Sequence, residues 1–76
     1  MKTTLYFDEQ ILKKRTYLTY QMCLEVIMNP IKKEIQEDGR TRYWAHVAEL
    51  NKIIRVVVLE DGETVHNAFM DRNFKI

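Results

Sequence analysis

Arg42, Trp44, His46, Arg55, His66 and Arg72 are the residues of this chain whose types and spacing could do chemistry. An unperturbed imidazole titrates near pH ~6.5 and can carry a proton in either direction. A guanidinium grips phosphate or carboxylate through a planar fork. An indole offers a flat surface on which a nucleobase stacks. Arg42, Trp44 and His46 alternate along one segment, so an extended backbone projects them from one side. Arg55 with Val57, and His66 with Ala68, join that side if the neighbouring strands keep register without a bulge. Such a set is basic and aromatic beyond what an inert outer surface needs.

The elements that must position these residues are legible in the second half of the chain. Alternation in Arg42–Val47, a β-branched run in Ile53–Val58 and an Asp61-Gly62 turn predict strands over about 42–47, 53–59 and 64–70. Counting by twos gives one apolar face of Tyr43, Ala45, Val47, Ile54, Val56, Val58, Val65 and Phe69. Asn67 falls on that apolar parity, which signals either a bulge or a buried polar anchor. Ile31–Gln36 reads as a polar edge strand over about 31–36, whose lysines discourage pairing with other chains. Asp38-Gly39 supplies the hairpin turn out of it.

Two helices are expected ahead of the strands. Asp8 is a good N-cap for a first helix over about 9–15, with Ile11 and Leu12 turned inward and Lys13, Lys14 and Arg15 in its last turn. Thr19 caps a second over about 20–28, which Asn29-Pro30 stops. Its stripe of Met22, Cys23, Val26 and Ile27 suits packing on a sheet. The expected fold class is α+β: one domain, two N-terminal helices packed on one face of a four-stranded antiparallel meander.

Bulk properties narrow the function classes. Seventy-six residues bury only roughly 60% of the unfolded surface, so a partner would add usefully to stability. Formal net charge is +1, which gives no whole-molecule case for nucleic acid. A single cysteine, Cys23, makes no internal disulfide and reads as core packing. No Cys/His cluster has zinc spacing and the two glycines form no phosphate loop, so neither metal nor cofactor is expected. No apolar run approaches the roughly 20 residues that span a bilayer, and no signal peptide is evident. A cytoplasmic protein that does not insert in membranes is the expectation.

Several local patterns resemble the small toxins of the RelE/ParE superfamily, its BrnT-like branch especially. The matching pieces are Tyr6-Phe7-Asp8 entering a helix with basic residues near its end, and the Thr19 helix closed by Asn29-Pro30. Asp38-Gly39-Arg40, Arg42-Tyr43, the Val-rich strand, and Asn67-Ala68-Phe69 followed by Arg72 complete the likeness. The resemblance implies a toxin of a toxin–antitoxin pair, neutralised by an antitoxin protein and acting on messenger RNA, often on the ribosome. It implies metal-independent cleavage, in which a base takes the proton of a ribose 2′-hydroxyl, a cation steadies the phosphate and an acid protonates the leaving oxygen. Under that reading His46, His66 and Arg55 are the catalytic candidates, and Arg42, Trp44 and Arg72 bind RNA. The chain departs from the cutters in the first helix, where Lys13-Lys14-Arg15 replaces a His-Arg pair, and in the last strand, which lacks an arginine-rich end.

Other roles stay open for the same residues. Arg55 can pair with a carboxylate such as Glu49 or Glu63, and Trp44 can cap the sheet or pack under the Phe69–Ile76 tail. The alternative functions are a non-catalytic module binding protein or nucleic acid, and a self-associating domain. Nothing in the sequence assigns an oligomeric state.

Overall fold

The β-branched run Ile53–Val58 makes the central strand of a five-stranded sheet. The computed structural model describes residues 1–75. Its strands are β1 (Lys2–Thr3), β2 (Lys32–Ile35), β3 (Thr41–Val47), β4 (Lys52–Val58) and β5 (Thr64–Met70), in the spatial order β1-β5-β4-β3-β2. The expected four-stranded antiparallel meander is therefore incorrect. β2 through β5 are antiparallel, but β1 adds a fifth strand parallel to β5, pairing Lys2 with Thr64 and Thr3 with Val65. Two residues are too few to show a period-two pattern, so this strand has no signal of its own in the sequence. It forms because the β5 edge otherwise leaves backbone groups unpaired; Thr4 N donates to Val65 O at 3.1 Å to end the pairing.

The first helix also begins earlier than expected. A π-helical turn, Phe7–Ile11, runs without a break into the short α1, Leu12–Lys14. Thr4, not Asp8, supplies the cap: its Oγ1 accepts from Phe7 N at 3.0 Å. The earlier start puts Phe7 and Ile11, four residues apart, on the core side, where both are fully buried. Asp8 instead accepts the Tyr20 hydroxyl at 2.7 Å, which holds its carboxyl below the usual range. Arg15 lies just past α1.

The second helix, α2 (Tyr20–Met28), starts at a Thr19 side chain that accepts from Met22 N at 3.1 Å. It ends at Asn29, ahead of Pro30, which cannot continue a helix. Cys23 and Val26 are buried with Ile54, Val56 and Val58 in one core, and Met22 and Ile27 pack at its margin. Burial pushes the Cys23 thiol up to about 11, so it stays protonated and unreactive.

One irregularity re-sorts β5. Val57 pairs with Asn67 but Val58 pairs with Val65, so His66 is an extra residue on β5. The slip turns Val65 and Ala68 into the core and leaves Asn67 and Phe69 on the outer side. Period-two counting without a bulge puts Phe69 inside and Ala68 outside; one bulged residue exchanges them.

A candidate nucleic-acid interface on the outer sheet face

Away from the helices, four side chains stand in a row across the sheet: Lys32 on β2, Trp44 on β3, Arg55 on β4 and Phe69 on β5. Each is the direct cross-strand partner of the next. Cations alternate with rings along this row. Lys32 Nζ lies 5.3 Å from the Trp44 ring centroid, and Arg55 Cζ lies 5.9 Å from Trp44 and 4.3 Å from Phe69. Arg15 adds a second guanidinium over Phe69 at 5.8 Å.

The segment after β5 folds back over this row. Trp44 Nε1 donates to Asp71 Oδ2 at 2.9 Å, and the same oxygen lies 3.6 Å from Arg55 Nε. Phe74 tilts onto the indole with ring centroids 5.7 Å apart. Together they leave Trp44 only 5% exposed. The indole hydrogen bond, with help from the Asn73 and Phe74 backbone and the Arg55 charge, holds the Asp71 carboxyl below its ordinary range. At 3.6 Å the Arg55–Asp71 contact is an ion pair and not a hydrogen bond, so Arg55 Nε is buried without a hydrogen-bond partner, as is Arg15 Nη1. Both guanidiniums over Phe69 thus keep donor capacity unused.

Beside this lid is an open cleft of about 380 Å³, lined among others by Lys32, Trp44, Arg55, Asp71, Phe74 and Lys75. Three cations face one carboxylate there. Lys32 and Lys75 make no ion pair among the described residues. In a molecule of net charge +1, this is a local excess of positive charge next to aromatic surface.

The other candidates lie apart from the cleft. Arg42 pairs with Glu34 at 3.5 Å, and a Gln36 amide turned oxygen-first accepts from its Nε and Nη2 at 3.0 and 2.6 Å. His46 is exposed near the β3–β4 turn, with Nε2 3.0 Å from Asn51 Oδ1. His66, at the bulge, turns to the β1 edge: its Nδ1 is 3.0 Å from Thr4 Oγ1, and its ring lies 5.0 Å from that of Tyr6. His46 pairs with Ile53, whereas His66 lies opposite Val57 at the other end of β4 and two strands away. Ordinary strand spacing then separates their Cα atoms by roughly 16 Å. Arg72 is exposed past the end of β5. Trp44 and Arg55 are therefore brought together, and Arg42, His46, His66 and Arg72 are not.

Sequence reading missed Asp71, Phe74, Lys32 and Lys75 as members of this site. The signal for Asp71 is the indole itself, because a buried Trp N–H needs an acceptor nearby. Lys32 could be found only from the β2–β3 register. Among the described residues no group of three His, Cys, Asp or Glu is placed to hold a metal ion, and no helix is long and apolar enough to cross a membrane. Comparison with protein-family models, with curated proteins and with solved structures returned no match to this chain.

Proposed function

We propose that this chain is a toxin-like domain that holds single-stranded RNA in the outer-face cleft and does not cut it. The observation that carries the reading is the cleft: Lys32, Arg55 and Lys75 gathered around Trp44 and Phe74, with Asp71 the opposing carboxylate. Cations beside a reachable ring are what a single strand requires, since phosphates seek the charge and bases seek ring faces; Trp44 is covered, so the half-buried Phe74 is the ring that a base can reach. The geometry offers little support for cutting. A base and a phosphate clamp must reach the same ribose, yet His46 and His66 lie roughly 16 Å apart by strand spacing. Each is also engaged elsewhere, with Asn51 and with Thr4. The resemblance to RelE/ParE toxins adds an antitoxin as protein partner and a cytoplasmic setting to this reading.

Trp44 is the single tryptophan, so its fluorescence reports on the cleft directly. Titration with a short single-stranded RNA should shift and quench that emission, with an affinity that falls as salt rises. Lys32→Ala and Lys75→Ala should each reduce the log–log salt slope by about 0.7, the value for one contact to a single strand. The RNA should be recovered intact. Absence of any binding at low salt would overturn the reading. Cleavage that disappears in His46→Ala would replace it with the nuclease.

A further inference from the structure

Arg15 carries a charge that the fold does not balance. It lies just past α1, half-buried, with its Cζ 5.8 Å from the centroid of the Phe69 ring. It makes no ion pair among the described residues, and its Nη1 is buried without a hydrogen-bond partner. Taking charge out of water without a partner is unfavourable, and a long arginine side chain ordinarily swings its head into solvent to avoid it. Its neighbours Lys13 and Lys14 do so and are exposed. The Arg15 guanidinium stays against the ring.

That ring is shared. Arg55 Cζ lies 4.3 Å from the same centroid, so two guanidiniums meet at Phe69. Like charges so placed repel unless an anion joins them. The one ion pair that either makes among the described residues is Arg55 with Asp71, at 3.6 Å, and that carboxylate oxygen takes its hydrogen bond from Trp44 instead.

We infer that Arg15 and Arg55 together seat one phosphate of a bound RNA strand at Phe69. The inference rests on the RNA reading of the cleft and extends it across β5 to the end of the first helix. A phosphodiester offers several acceptor oxygens and can take donors from two planar forks at once. The seat is continuous with the cleft, because Arg55 lines the cleft and Phe69 is its cross-strand partner. From Lys32 on β2 to Phe69 on β5 is three strand spacings, roughly 14 Å. RNA touching both ends therefore runs across the β-strands and not along them. Phe69 serves this path as a platform for cations, which leaves base stacking to Phe74. An acidic protein segment could offer carboxylates to the same guanidiniums, but it has no bases to place on that ring.

Titration with hexauridylate, followed by Trp44 emission, tests the seat. Arg15→Gln should weaken binding about fivefold at low salt and lower the log–log salt slope by about 0.7, the value for one single-strand contact. Lys14→Gln removes the same charge one position earlier and should change affinity less than twofold. Arg15→Gln combined with Lys75→Ala should lower the slope by about 1.4, because two different phosphates lose a partner. Arg15→Lys keeps the charge without the planar fork, so it should weaken binding at an unchanged slope. Emission without RNA should match the parent in every variant, which shows that the outer face is intact. Hexaglutamate at equal concentration should not displace the RNA. If the parent binds hexauridylate and Arg15→Gln binds it as tightly, or Lys14→Gln weakens it as much, the seat is overturned and the cleft stands. Displacement by hexaglutamate overturns it too, and assigns the two guanidiniums to an acidic protein segment. No binding by the parent overturns the cleft reading and the seat with it.

Discussion

At the β5 edge of the sheet, β1 pairs with Thr64 and Val65, Tyr17 Oη accepts from Met70 N at 3.2 Å, and the first helix drives Phe7 and Ile11 into the core. At the β2 edge, among the described residues, no strand lies beyond Lys33 and Ile35, and the apolar side chains of Ile31 and Ile35 stand in water. The same chain thus applies three covering devices to one edge and none to the other. Edge strands are ordinarily managed because unpaired backbone invites association. The difference teaches that packing is concentrated at the β5 side and that backbone groups and apolar side chains are left open at the β2 side.

The contrast can be broken most directly by Phe7→Ala. Phe7 is fully buried beneath the covered edge, and its truncation should cost about 3–5 kcal/mol in denaturant unfolding, enough to unfold many small domains. Tyr17→Phe removes the acceptor for the Met70 N–H and should cost about 1 kcal/mol. A value near zero would mean that solvent already satisfies that amide and that Tyr17 covers nothing.

Acid sharpens the comparison further. Asp61, in the turn leading into β5, accepts from the Thr64 hydroxyl and from the Glu63 and Thr64 amides, the two N–H donors at 2.9 Å. These bonds lower its pKa to about 2, the Thr64 side chain contributing most. A carboxyl whose folded pKa lies below its unfolded value of about 3.9 stabilises the fold fully above that pH and loses the contribution as pH falls through 2. Asp61→Asn should therefore flatten the stability profile between about pH 4 and pH 2 and leave its slope near neutrality unchanged. Ile35→Ala, at the open edge, is the smallest effect: under about 0.5 kcal/mol in monomer stability. If Ile35→Ala proved costlier than Tyr17→Phe, the division of labour between the edges would be wrong.

How much of this was legible depended on the length and regularity of each pattern. α2 carries both of its signals in the sequence, a Thr19 cap and an Asn29-Pro30 stop, and the Val-rich β4 has period-two burial that any one-residue slip would spoil. β1 is two residues long and owes its existence to an edge formed by residues far along the chain. The start at Thr4 was obscured by Asp8, an equally good capping residue four positions on; only the burial of Phe7 decides between them. For the outer face, parity located Trp44 and Arg55 correctly relative to each other through β3 and β4. It failed at β5, where the bulged His66 re-sorts everything after it. Asn67 was the visible clue, since a polar residue on an apolar parity marks where the count breaks. The Arg55 partner lay past the end of the strand pattern, in a tail with no periodicity to place Asp71.

The parallel β1–β5 contact has a kinetic consequence. Thr4 and His66, which meet at that seam, are 62 positions apart, whereas β3, β4 and β5 are joined by short turns. Closing so long a loop costs more chain entropy than zipping a hairpin, and contacts of that kind form late. The seam should lock last during folding and open ahead of the central β4, as a cooperative unit made of β1 and the helix that Thr4 caps. Amide exchange at Thr4 should then outpace exchange at Val56 by orders of magnitude, and a brief opening there would strip cover from Val65 without disturbing the meander. The edge that holds most of the packing is also the one that closes most slowly.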